Sequence, residues 1–445
     1  MLKHRVEHVK LSSGLEGLII DTPKTGVVVA EVSFRAGEFL LPKDKWETAH
    51  LLEHVLLGAN KSFAKARDFQ AAIEQNGAYS NASTSVYDVT YEVECADFEW
   101  QRVLGLLFDA ISTPLFLQEE FDTEKSNVRE ELISRSNNHF RNLNLGLRQA
   151  MGMCALTDSE RVELLDGVTR EDLVAHYKHT HTLPNARFII AGNFNGHYEE
   201  PIALIESRLK LPKLGARIAM PIESPVTPEH PLVVRKPSVP NIYMYLDMYA
   251  TRLFTEKESN ALSLLSTLLT ETMYSRIFGT AREKGWVYGM GSGVAYMGSA
   301  TGWWLGAQVS KTNSQPLLRL IRDECLRLRA GMIDESDFEA AKKHLLGKTM
   351  RSGQTASGIV NNYGKYYMDD QIEDLNKLPT QLKSLKSKDC IQIFQEMCND
   401  NIWGFGVLGS TSMVPARKLH NYTSEIFSST RGGDHPLITP GAKQV

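Results

Sequence analysis

HLLEHVLLG, residues 50–58, carries two signals at once. Its leucines fall at helical spacing, and its two histidines stand four apart with a glutamate immediately before the second. The same stretch has a faint echo at residues 263–271, SLLSTLLTE. AEVSFRAG (30–37) likewise pairs with MYLDMYAT (244–251), and NARFIIAGN, ending near Gly192, pairs with NIWGFGVLGS, ending near Gly409. The offsets are 213, 214 and 217 residues, taken from 50 to 263, 30 to 244 and 192 to 409. Three segments in one order at a nearly constant offset indicate a duplicated chain. In the second copy Ser263, Ser266 and Thr267 stand where His50, Glu53 and His54 stand in the first. One half keeps the polar motif and the other keeps only the shape.

Outward from the motif, residues 26–35 and 89–95 are rich in Val, Phe and Tyr and read as strands, as does the apolar run 186–191 closed by Gly192. Residues 46–58, 67–76, 99–112 and 118–137 carry helical spacing, the second ending at Gly77. Strands mixed with long helices predict layers of α/β or α+β type. Seven prolines between Pro212 and Pro240, of 17 in the chain, mark a linker near the midpoint. Each half is then a plausible domain of about 210 residues.

Histidines at i and i+4 share one face of a helix, so His50 and His54 can reach a single ion at about 2.1 Å. Glu53 lies beside them. A bound zinc lowers the pKa of its water toward about 7, and a neighbouring carboxylate can then take the proton. A catalytic zinc needs a third protein ligand and an open position. An H-x-x-E-H arises by chance in roughly two of a hundred chains of this composition, so the pentapeptide alone does not decide the matter. A later helix, EKSNVREELIS, supplies Glu124 and Glu131, seven apart on one face. Spacing alone does not choose a ligand among Glu124, Glu130 and Glu131.

At this point the chain resembles a known family. H-x-x-E-H marks the inverzincins, among them pitrilysin, insulin-degrading enzyme and the mitochondrial processing peptidase. In that family a ligand glutamate follows the second histidine after about 76 residues, and here residues 55 through 130 intervene before Glu131. The family's second glutamate, seven before the ligand, matches Glu124. NGAYSNASTSVYDVTY resembles the family's N-G-x-x-S-N-A strand and places Asn81 and Ala82 in it. The resemblance implies that this strand edge pairs with an extended substrate backbone. AREKGWVYG resembles the R-E-K-x-G-L-x-Y signature, with Arg282 and Tyr288 six apart where many members have seven. In the family those two residues reach the active site, the tyrosine supporting the oxyanion.

The resemblance spans nearly the whole chain and is nearest the processing-peptidase-like branch of units near 50 kDa. It implies an α+β fold of two homologous domains, each a mixed or antiparallel sheet covered by helices, together forming half of a clamshell chamber. The expected division is a zinc domain over 1–220, a linker over 221–240 and a degenerate domain over 241–445. The expected activity is that of a zinc-dependent endopeptidase on peptides or unfolded segments. Zn2+ would be held by His50, His54 and Glu131, Glu53 would be the base, and Glu124, Arg282 and Tyr288 would assist. Because the chain carries both the HLLEH half and the Arg–Tyr half, the expected partner is a second copy, forming a homodimer, or a related chain forming a heterodimer. A non-catalytic assembly subunit and a peptide-binding maturation factor are the competing readings of the same fold, although neither has a physical need for three zinc ligands and a base.

Composition excludes other classes. With 49 basic and 53 acidic residues the formal net charge is −4, which implies no nucleic-acid partner. No run reaches the roughly 18–20 apolar residues of a membrane span, and the charged N-terminus MLKHRVEHVKLSSGLEG does not read as a secretory leader. Cys95, Cys154, Cys325, Cys390 and Cys398 form no C-x-x-C and read as reduced thiols, which points to a cytoplasmic protein. His176, His179 and His181 read as cations complementing a helix C-terminus. His4 and His8 have no carboxylate at ligand spacing. GMGSGVAYMGSATG lacks a phosphate-loop lysine and reads as turns and a bulged strand. The tail RGGDHPLITPGAKQV is expected to be flexible.

Overall fold

A computed structural model describes residues 2–428; the tail from Arg431 lies outside that range. Among the described residues, eleven strands form two sheets. The first has the order β1–β2–β6–β3–β5–β4, built from Arg5–Lys10, Glu16–Asp21, Ala186–Gly192, Val27–Phe34, Val89–Ala96 and Tyr79–Thr84. The second has the order β7–β11–β8–β10–β9, built from Leu232–Arg235, Ile402–Gly409, Ile242–Ala250, Thr301–Val309 and Val287–Tyr296. From β2 onward the first sheet repeats in the second strand for strand. The parallel pair β2/β6 matches β7/β11, and the antiparallel run β6/β3/β5/β4 matches β11/β8/β10/β9. The faint sequence echoes therefore mark equivalent strands: β3 with β8 and β6 with β11.

The alternation of the strands sets their depth. VVVAEVSF of β3 is almost wholly buried, as a central strand covered on both faces should be. YSNAST of β4 alternates exposed and half-buried residues and forms a sheet edge. The helix Thr48–Leu56 buries Leu51, Leu52, Val55 and Leu56 against the first core; at about 1.5–3 kcal/mol for each large apolar side chain, this burial holds the motif in place. It leaves Glu53 and His54 half-exposed.

Although every strand but β7 lies to one side or the other of the proline-dense stretch, two helices pack on the sheet of the opposite half. His139–Ala150 lays Leu143 and Leu147 on the second sheet beside Tyr249 and Leu408. Ala356–Tyr363 lays Ile359, Val360 and Tyr363 on the first sheet over Leu18, Ile20 and Ile189. The first contact is close at the glycines of β11. A Cβ at Gly404 would stand 2.7 Å from Met151 Sδ, and one at Gly406 would stand 2.9 Å from Leu143 Cδ1. The proline-dense stretch itself contains β7.

The structure corrects the reading of the 176–181 histidines. His176 and His181 are buried, His176 bonding Ala36 O and His181 lying between Phe34, Tyr91 and Tyr177. Burial lowers the pKa of both, so they are neutral core residues and not cations at a helix end; only His179 faces solvent.

Candidate metal centre and substrate cleft

The helix Thr48–Leu56 presents His50 and His54 one turn apart, with ring centroids 4.9 Å apart and planes at 82°. The helix Gln118–Arg135 crosses it, anchored by Phe121, Val128 and Leu132. That anchoring turns Glu124 and Glu131 toward the histidines and leaves Glu130 exposed. Glu131 Oε2 lies 3.3 Å from His50 Nε2 and 3.5 Å from His54 Nε2. Glu124 Oε2 lies 2.9 Å from His54 Nδ1, on the opposite edge of that ring. Among Glu124, Glu130 and Glu131, only Glu131 faces both Nε2 atoms.

The donor set fits zinc. Glu131 Oε2 is buried and, among the described residues, has no well-directed hydrogen bond. Its companion oxygen is held by an ion pair with Arg135 four residues on. Ligand atoms around a tetrahedral ion at 2.0–2.1 Å are about 3.4 Å apart, which matches both Nε2–Oε2 separations. His50, Glu53 and His54 also bring ligand atoms within 4.8 Å of one another, the only such group of three among the described residues. Glu53 differs from Glu131 in that its Oε2 accepts a hydrogen bond of 3.0 Å from Thr84 Oγ1 on β4.

The local field favours a cation. The facing His50 and then His54 hold the Glu131 carboxylate well below the usual range. Burial opposes protonation of His54, yet Glu124 and Glu131 raise its imidazole to about 9. Burial also opposes protonation of His50, and Glu131 and Glu47 raise it. Convergent atoms that attract protons attract a divalent ion for the same reason.

The cleft has a volume of about 630 Å3 and is walled by the metal-site residues and by Asn81, Ala82 and Thr84 of β4. Because β4 ends its sheet, one backbone edge is open to an extended chain. Arg141 lines this cleft and also a neighbouring one of about 670 Å3 that contains Tyr245, Trp304 and Tyr288. Tyr288 therefore lies in the adjoining cleft. It is 88% exposed, with the Arg282 guanidinium 4.6 Å from its ring centroid and Arg282 Nη1 donating to its carbonyl at 3.2 Å.

Sequence reasoning missed four supporting residues: Glu47, Arg161, Arg135 and Thr84. Glu47 Oε2 accepts from His50 Nδ1 at 3.0 Å, and Arg161 binds both oxygens of Glu47. Burial works against the ionised Glu47, but the His50 hydrogen bond and the Arg161 charge carry its pKa down to about 2. Glu47 at i−3 and Arg135 at i+4 were visible as helix-face neighbours, whereas Arg161 and Thr84 reach the site only through the fold.

An inverted histidine–glutamate–histidine helix, completed by a glutamate from a crossing helix and set beside an open sheet edge, is the arrangement of an inverzincin-type peptidase. The chain belongs to peptidase family M16: residues 18–153 match the insulinase family (peptidase family M16), and residues 167–345 match the peptidase M16 inactive domain. The second match contains Ser263, Ser266 and Thr267, which replace the metal-site triad. The zinc protease PqqE of Helicobacter pylori is 22% identical over 421 residues, covering 88% of this chain and 90% of that one. A solved protease from Helicobacter pylori superposes with a TM-score of 0.77 at 19% identity, covering 92% of this chain and all of that one. A peptidase M16 inactive domain from Pseudomonas fluorescens gives 0.79 at 17% identity, covering 92% and 99%. No helix among the described residues is long and apolar enough to cross a membrane.

Proposed function

We propose that this protein is a zinc-dependent endopeptidase that hydrolyses extended peptides or unfolded segments. The observation that carries the reading is Glu131 Oε2, buried, without a well-directed hydrogen bond among the described residues and 3.3 and 3.5 Å from the two Nε2 atoms. A scaffold or a passive peptide binder has no use for that convergence.

His50, His54 and Glu131 would hold zinc, which supplies a Lewis acid that makes water acidic enough to lose a proton near neutrality. Glu53, oriented by Thr84, takes that proton and delivers it to the leaving amine nitrogen. Asn81 and Ala82 on the open edge of β4 align the substrate backbone in the extended form. Glu124 holds His54 from behind. Arg282 and Tyr288 bind substrate and stabilise the oxyanion. The exposure of Tyr288, and its placing outside the metal cleft, support completion of each site by a second copy or a related chain. Five free thiols support a reducing, cytoplasmic setting.

The test is zinc content together with cleavage of unstructured peptides by the wild type and by Glu53→Gln. Both proteins should retain zinc, and the variant should lose at least about a hundredfold in rate with the loss of its base. Equal cleavage by the two would remove Glu53 from its role. A zinc-free wild type would favour the scaffold reading.

A further inference from the structure

We propose that Glu47 is a positioning residue that fixes which nitrogen His50 presents to a divalent metal, an inference that rests on the reading of His50 as a metal ligand. Glu47 occupies the N-cap position of the HLLEH helix, yet its side chain makes no capping hydrogen bond. Its carboxylate is fully buried and turned instead to His50, with Oε2 3.0 Å from Nδ1. A neutral imidazole has one N–H. Donation of that N–H from Nδ1 to Glu47 leaves the lone pair on Nε2, the atom 3.3 Å from Glu131 Oε2.

A buried carboxylate persists only when it is paired. Arg161 reaches Glu47 Oε1 with Nε at 2.5 Å and Oε2 with Nη2 at 3.0 Å. Nη2 of Arg161 also lies 2.9 Å from Glu38 Oε1. On the far side Asp158 stands 3.9 Å from Arg161 Nη1 and takes Arg141 Nε at 2.7 Å. Glu38, Glu47, Asp158 and Arg161 are all buried. So many desolvated charges behind one ring hold its tautomer and its orientation together, and a well-packed apolar cluster would be at least as stable. His54 is braced differently, by Glu124 on the half-exposed crossing helix.

The geometry makes an isosteric test decisive. In the wild type, Glu47 accepts from Arg161 on both oxygens and from His50 on one of them. A glutamine has a single carbonyl oxygen, so in Glu47→Gln the amide N–H faces an Arg161 donor in either orientation, and in one of them His50 Nδ1 as well. Glu38→Gln disturbs the same network on the other side of Arg161 without touching His50. Zinc affinity is read by chelator competition, and folding by thermal melting. Glu47→Gln should lose about 10–100-fold in zinc affinity, while Glu38→Gln should melt earlier and keep wild-type affinity. Wild-type affinity in Glu47→Gln, or an equal loss in both variants, overturns the proposal. Should Glu47→Gln fail to fold, 15N-histidine NMR of the wild type decides: zinc must shift Nε2 of His50 and leave Nδ1 protonated, and coordination through Nδ1 overturns the proposal. A wild type that binds no zinc overturns both this proposal and the peptidase reading. Tight zinc binding that does not depend on Glu47 overturns this one alone.

Discussion

Glu124 Oε2 lies 2.9 Å from His54 Nδ1, while Glu131 Oε2 lies 3.5 Å from Nε2 of the same ring. One helix thus grips the imidazole at both nitrogens, from residues two turns apart. The histidine lowers the pKa of Glu124, which keeps its carboxylate ionised at neutral pH. Removing it frees the ring to rotate and to move its proton to Nε2. Glu124→Ala should therefore weaken zinc binding about 10–100-fold. The residue is half-exposed, so the circular dichroism spectrum should be unchanged. Chelator competition measures the effect, and wild-type affinity in the variant would leave Glu124 without a role at the metal.

The separation of Tyr288 from the metal cleft gives a quantitative expectation for a shared site. Glu53→Gln and Tyr288→Phe chains are each expected to be inactive as homodimers. Mixed at equal concentration with free exchange, half of the dimers are heterodimers, and one of the two sites in each heterodimer combines wild-type Glu53 with wild-type Tyr288. Recovered activity should approach about a quarter of the wild-type value. Exchange is followed by fluorescence transfer between labelled chains. Complete exchange with no recovered activity would show that Arg282 and Tyr288 do not act across subunits.

The legible and illegible parts of this protein divide by the range of the interactions. HLLEH is set by helical periodicity within nine residues, and β3 and β6 by stretches dominated by apolar and β-branched residues, so local pattern revealed them. The duplication was faint in letters because only strand cores repeat, yet the two sheets match strand for strand. Arg161, 114 residues from Glu47, carried no signal because a buried ion pair is made by packing and leaves no spacing rule. His176 and His181 misled because a helix-end position does not reveal depth, and burial outweighs the dipole. The crossing of His139–Ala150 to the second sheet packs Leu143 and Met151 closely over Gly404 and Gly406, which read in sequence only as glycines in a strand.

Glu31 on β3 gives the first stability prediction. It is buried, stands opposite Glu92 on β5 and accepts from Tyr367 Oη at 2.9 Å. Burial is the chief reason its pKa rises to about 7, with Glu92 adding to it and the Tyr367 hydrogen bond opposing. A carboxyl whose folded pKa exceeds its unfolded value binds a proton more tightly when folded. Its contribution therefore favours folding at low pH and is lost as pH rises from about 4.5 to about 7. Glu31→Gln keeps an acceptor for Tyr367 and removes the ionisation. The variant should be more stable than wild type at pH 8, by at most about 3 kcal/mol, and equal to it near pH 4. Denaturant unfolding at the two pH values measures this, and a variant less stable at pH 8 would mean that the charged form is favoured.

Asp370 joins the segment after the crossing helix Ala356–Tyr363 to the first sheet. Its carboxylate receives Arg35 Nη2 at 3.1 Å, Arg187 Nε at 2.8 Å and Arg217 Nε at 2.9 Å. Three guanidinium groups share one counter-charge. Burial and then the neighbouring Arg187 and Arg35 pull the Arg217 pKa down to about 9. The residue sits at φ +58°, a left-handed conformation that asparagine tolerates nearly as well as aspartate, so Asp370→Asn tests the charge without adding backbone strain. The side chain is 35% exposed and partly screened, which lowers the expected loss from that of a fully buried pair to about 2 kcal/mol. Because the contact ties the crossing helix down, amide exchange should rise first across Ala356–Asp369. Chloride near molar concentration should narrow the gap between variant and wild type by screening the unpaired arginines. A variant as stable as wild type, with unchanged exchange in that segment, would mean that the apolar contacts of Ile359, Val360 and Tyr363 hold the helix to the sheet unaided.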